Sequence, residues 1–136
     1  MVSFTSIEIM RLIFSAFTAI LFIQSGLDKV FNYRGEKSFY QDHFNKTFLK
    51  STVGLLMPTI TIMELASGFL SGAGLLYYIF MGTKTLACWG MLLSCGSILM
   101  LFFGQRVAKD YAGASTLVGY FIATSLGVFF YVHDFM

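Results

Sequence analysis

The chain has 136 residues, 57% of them apolar, 18% aromatic and only 12% charged, with a single proline. Soluble domains are about one quarter charged, so apolar surface on this scale would aggregate in water and points instead to a chain solvated by lipid. Nine basic against seven acidic residues leave a net charge of +2, too small and too scattered for a nucleic-acid partner, and the same composition excludes disorder and collagen-like fibres.

A helix rises about 1.5 Å per residue, so about 20 apolar residues cross roughly 30 Å of hydrocarbon. Four runs qualify: residues 9–31, 53–81, 85–103 and 112–132. Backbone groups in hydrocarbon must be satisfied within their own segment, so each run is predicted to be an α-helix. The first is read as a span and not as a cleaved signal peptide: its apolar stretch is too long, it lacks an A-x-A site and further spans follow. The second is about eight residues too long for a perpendicular crossing, which predicts tilt or a start in the interface. Its Pro58 is expected near the first turn, where the missing N–H would have no partner anyway. Gly82-Thr83-Lys84 and residues 104–111 are short connections, so neighbouring helices should pack antiparallel. The expected fold class is all-α: a polytopic membrane protein, a four-transmembrane-helix antiparallel bundle in one domain over residues 1–136.

Residues 32–52 form the one sizeable polar segment. Tyr40, Phe44 and Phe48 recur there every four residues, which would stack them on one helical face, while Asp42, Asn45, Lys46 and Lys50 fall elsewhere. The segment is expected to be a short amphipathic helix between helices 1 and 2, either lying on the membrane surface or serving as a lid on the bundle. Seven of the nine basic residues (Lys29, Arg34, Lys37, Lys46, Lys50, Arg106 and Lys109) fall on the side of the membrane that holds this segment, against Arg11 and Lys84 on the other. The positive-inside rule therefore places both chain ends outside the cytoplasm.

Helices in lipid associate through small residues that let backbones approach. Gly68 and Gly72 make a GxxxG step in the second span, and Ser115, Gly119, Ala123 and Gly127 form a stripe in the fourth. Both are expected packing faces, with a homo-oligomer contact as the alternative.

The most informative residue is Glu64, four before Gly68 and eight before Gly72 on the same face, and hence expected to point into the bundle. An ionised acid deep in an apolar span costs a few kcal/mol unless paired, hydrated or protonated. It reads either as a proton- or substrate-coupling carboxylate or as a structural hydrogen bond to a neighbouring helix. A second polar group is predicted at one membrane face: Gln24, Asp28 and Lys29 at the end of span one, with Gln105, Arg106, Lys109 and Asp110 from the last connection. Opposite charges beside hydrocarbon should pair, so Asp28 or Asp110 is expected against Arg106 or Lys29, closing the bundle floor or binding an anionic head group. Arg11, near the other end of span one, is expected to snorkel to the interface.

Cys88 and Cys95 lie about 10.5 Å apart along one helix, beyond the roughly 7 Å that a disulfide bridges, and there is no C-x-x-C, so they read as apolar packing. His43 and His133 fall on opposite membrane sides and cannot share a metal, so none is expected. No histidine pair for haem, no phosphate-binding glycine loop and no catalytic triad can be assembled.

Arg11, the step Ser25-Gly26-Leu27-Asp28-Lys29, Glu64 and the connection from Phe103-Gly104-Gln105-Arg106 to Asp110 resemble the DoxX family of small four-helix bacterial membrane proteins. The resemblance extends over nearly the whole chain. It implies a multi-pass protein of the bacterial inner membrane, in contact with lipids and with other membrane or periplasmic proteins, acting as a subunit or accessory of a larger complex without catalytic residues of its own. Some members are similar to the membrane subunit of thiosulfate:quinone oxidoreductase, which leaves a quinone-interacting subunit as an alternative. A small proton-coupled transporter that uses Glu64 is a third reading.

Overall fold

The computed structural model describes residues 4–133. Its five α-helices are α1 (Ser6–Phe31), α2 (Tyr33–His43), α3 (Val53–Met81), α4 (Thr85–Val107) and α5 (Tyr111–Val132), with a 3-10 turn at Lys50–Thr52 leading into α3. All but α2 are long and apolar enough to cross a membrane, so the chain is a small multi-pass membrane protein built as an all-α bundle. Large apolar side chains such as Ile20, Phe80 and Ile62 point outward, as lipid requires. The interior holds a few large side chains, such as Phe22, Met91 and Tyr131, among many small and polar ones, including Ser15, Thr18, Ser67, Ser71, Ser94 and Thr124.

Helix α1 begins at a capping box: Glu8 N–H donates to Thr5 Oγ1 (3.3 Å) and Thr5 N–H to Glu8 Oε2 (3.1 Å), satisfying two N–H groups that the first turn leaves without partners. Helix α3 packs along both α1 and α4, α4 packs on α5, and α1 meets α5 more sparingly. Glycines permit the close crossings. A Cβ on Gly68 would stand 2.6 Å from Ile23 N of α1, one on Gly74 would stand 2.3 Å from Ala87 N of α4, and one on Gly90 would stand 2.6 Å from Ser71 N of α3. Between these helices Ser67 and Ser97 share a hydrogen bond of 3.2 Å.

The small-residue stripe of α5 differs from expectation. Gly127 is buried against Met91, but Ser115 and Gly119 are exposed, and a Cβ on Gly119 would meet nothing within 4 Å. Four-residue spacing says which residues share a face, not which face is turned inward. Gly72 likewise is looser than Gly68, with Ala19 Cβ 3.8 Å from its hypothetical Cβ.

Pro58 is the sixth residue of α3, inside the helix, so the Gly54 carbonyl has no N–H at the i+4 position. The polar segment also differs in detail. Its helix ends at His43, because Thr47 Oγ1 donates to the Phe44 carbonyl (2.9 Å) and accepts from Leu49 N–H (3.1 Å), turning the chain away from a helical path. Tyr40 and Phe44 stay together, their rings 6.2 Å apart and nearly parallel, whereas Phe48 points outward at 73% exposure. The three rings therefore do not share one face.

At the end of the bundle where α1 begins and α5 finishes, Arg11 is 2% exposed and does not snorkel. Its Nε donates to the Phe130 carbonyl (2.7 Å) and its Nη1 to Tyr78 Oη (3.1 Å). Tyr131 donates to the Arg11 carbonyl (3.2 Å), so Ser15 is the donor in its own bond to the Tyr131 oxygen. These contacts tie α1, α3 and α5 together at that end.

Candidate binding cavity

The α1–α5 contacts between Arg11 and Phe130 and between Ser15 and Tyr131 lie in the half of the bundle where α1 begins and α5 finishes, and that between Phe17 and Tyr120 near mid-span. Toward the other end of the bundle lies a cavity of about 700 Å³, bounded by all five helices. Its walls are mostly apolar: Leu56, Met57 and Ile60 from α3, Leu99 and Phe103 from α4, and Leu117 from α5. Leu99 and Phe103 are more than half exposed, so the cavity reaches the lipid-facing side of α4. A largely apolar hollow of this size with few convergent polar groups is what small-molecule sites look like.

Its polar lining residues are Ser25, Lys29, Tyr40, Glu64, Gln105 and Arg106, and the ion pair of Lys29 with Glu64 is the buried part of that set. Side chains on a helix lean toward its N-terminus, so Lys29, in the last turn of α1, reaches back into the bundle and not out to the headgroups. Its Nζ stands 3.2 Å from Glu64 Oε2 and 3.2 Å from Ser25 Oγ, one turn earlier on α1. The Glu64 side chain is fully buried and that of Lys29 is 8% exposed. Pairing offsets the desolvation cost that either charge would incur alone. Glu64 Oε1 accepts no hydrogen bond among the described residues.

Tyr40 and Phe44 close the cavity from α2 and the turn after it. Burial pushes the Tyr40 phenol up from its ordinary value; Lys29 opposes the shift, while Glu64 and Glu36 reinforce it. Phe44 is buried, and its ring comes within 3.3 Å of where a Cβ on Gly104 would be. Next to it, His43 Nε2 bonds to Gln105 Oε1 and lies 3.8 Å from Asp110 Oδ2, pinning the end of α2 to the α4–α5 connection.

The predicted polar group at this membrane face is thus divided. Gln24 and Asp28 are exposed on the outer side of α1, whereas Lys29 is inside on Glu64. One residue turns a helix by about 100°, which separates Asp28 from its neighbour. Arg106 lies with its Cζ 4.6 Å from the Tyr111 ring centre. Asp110 caps α5 by accepting from Gly113 N–H (2.9 Å), and Lys109 is exposed in the turn. The structure therefore pairs Lys29 with Glu64, which lies far from it in the chain, and places neither Asp28 nor Asp110 on Lys29 or Arg106. Sequence spacing could have shown that residue 29 shares a face with Ser25 and Phe22; it carries no sign of the contact to α3.

Comparison with known proteins gives no guide. No protein-family model matches the chain, and no curated protein or solved structure matches it. A neutral, buried ion pair in the lining of an apolar hollow open toward lipid can bind and orient a lipophilic molecule.

Proposed function

We propose that this protein is a small accessory subunit of a bacterial inner-membrane complex, of the DoxX kind, with no reaction of its own, and that it holds a lipid-soluble molecule with a polar head in the cavity. The observation that carries this reading is the hollow of about 700 Å³ with the buried ion pair of Lys29 and Glu64 in its lining. Two residues on which the DoxX resemblance rests, Lys29 and Glu64, are the two that meet there, which supports assigning them a common task. A quinone has the required apolar tail and polar ring, so the quinone-interacting reading fits the same hollow. Glu64 already holds a lysine, which favours a binding role over that of a solitary carboxylate that alternates between a proton and a transported cation. By the positive-inside rule the cavity end faces the cytoplasm.

Purification from native membranes in a mild detergent, followed by mass identification of bound proteins and extracted small molecules, tests this. The expected result is a stoichiometric partner protein together with a lipophilic compound. A homodimer with neither would overturn the proposal.

A further inference from the structure

The charge and hydrogen-bonding state of the ion pair restricts what kind of head group the cavity accepts. Lys29 and Glu64 sum to zero charge, and they are deeply buried among apolar walls. A charged head placed against them would arrive without a counter-ion in a medium that penalises lone charges. The acceptor side is unpaired: Glu64 is among the residues lining the cavity, and its buried Oε1 has no donor among the described residues. A buried carboxylate oxygen in that state is costly unless an N–H or O–H reaches it. On the donor side, an ammonium has three N–H groups, of which Ser25 Oγ and Glu64 Oε2 engage two.

From this we infer that the ligand carries an uncharged hydroxyl head, an alcohol or a phenol, whose O–H donates to Glu64 Oε1 and whose oxygen accepts from the remaining N–H of Lys29. The inference rests on the cavity reading above and deepens it. A ketone or ether would satisfy Lys29 and leave Glu64 Oε1 without a donor, so of a quinone couple the reduced, dihydroxy form fits the ion pair and the oxidised dione does not. An amine would add a positive charge beside Lys29, and a phosphate or carboxylate a negative one beside Glu64. The nearest other cation on the cavity wall is Arg106, which is exposed and lies over Tyr111; it offers an anionic lipid head a place at the mouth and not at the ion pair.

Three photo-crosslinking probes that share one diazirine-bearing alkyl chain and differ only in the head (hydroxyl, sulfonate or trimethylammonium) distinguish these cases in nanodiscs containing the full chain. Labelled peptides are read by mass spectrometry. The hydroxyl probe is expected to label the wall around Leu99 and Met100 at about one tenth the concentration needed by the other two, the effect of one or two hydrogen bonds to charged partners. In the doubly substituted Lys29→Met, Glu64→Leu chain, that preference should vanish while labelling persists. Stronger labelling by the sulfonate probe, or equal labelling by all three in the unaltered protein, would overturn the head-group inference and leave the cavity reading standing. Absence of cavity labelling by every probe would remove both.

Discussion

Lys29, in the last turn of α1, and Glu64, midway along α3, meet with Nζ 3.2 Å from Oε2 although 35 positions separate them in the chain. The contact joins two helices by a pair in which each charge is tolerable because of the other. Replacing Glu64 alone by leucine strands a buried ammonium and should lower stability by about 3–5 kcal/mol. Adding Lys29→Met removes the stranded charge, and the double variant should recover to within about 1 kcal/mol of the parent or exceed it. Thermal unfolding in one detergent checks this. A double variant no more stable than the single would show that the pair matters for something besides charge balance.

Two glycines should respond in opposite ways to alanine. At Gly74 the new Cβ would stand 2.3 Å from Ala87 N, a backbone atom that cannot yield without separating α3 from α4. Gly74→Ala should therefore cost about 1–3 kcal/mol or more. Gly119 faces outward with nothing within 4 Å, and alanine favours a helix over glycine by about 1 kcal/mol. Gly119→Ala should leave the unfolding temperature unchanged or raise it. A large loss at Gly119 would mean that its face is covered by a second chain.

These two helices also show what the sequence could and could not disclose. The spans were legible because length and apolarity alone decide them, and Glu64 was legible as inward because a carboxylate amid 29 mostly apolar residues has no cheaper place. The partner of Glu64 was not. Asp28 and Asp110 supply opposite charge for Lys29 and Arg106 at the same membrane face, but the rotation of α1 between Asp28 and Lys29 puts one outside and the other inside. Arg11 departs from the snorkelling expectation for a related reason: hydropathy near a helix end cannot distinguish an arginine that reaches water from one that finds the Phe130 carbonyl and Tyr78 inside. The inward face of α5 and the outward turn of Phe48 are not legible in the sequence, because spacing defines faces and not the neighbours that select among them.

Tyr40 gives the cavity wall a signature in alkaline solution. Burial is the main cause that raises its phenol above the ordinary 10.0, so the folded state favours the neutral form relative to the unfolded chain. The associated stability is complete below the unfolded value and is lost as pH rises through the folded one. Subtracting the phenolate absorbance of a Tyr40→Phe variant from that of the parent should isolate one late titration among the seven tyrosines. The variant's unfolding temperature should also fall less steeply at high pH. A difference curve centred at the ordinary phenol value would show Tyr40 to be open to water, and with it that side of the cavity.

The turn between α4 and α5 carries removable strain. Lys109 has a φ of +60°, the one positive value outside glycine among the described residues. It sits where α4 ends, with its N–H on the Arg106 carbonyl (3.1 Å) and the next N–H, of Asp110, on the Gln105 carbonyl (2.9 Å). That pair of bonds satisfies the last carbonyls of a helix and requires a left-handed residue at this place, normally glycine. A side chain in this conformation costs about 1–2 kcal/mol, whereas glycine loses more backbone freedom on folding, by roughly 0.5–1 kcal/mol. Lys109→Gly should therefore stabilise by up to about 1 kcal/mol, and Lys109→Val should destabilise, since a β-branched residue fits there worst. The two variants are compared by thermal unfolding against Gly82→Ala, which introduces the same strain at φ +72° after α3 and should destabilise. A Lys109→Gly variant less stable than its parent would mean that the lysine side chain itself holds this connection, through a contact stronger than the strain it imposes.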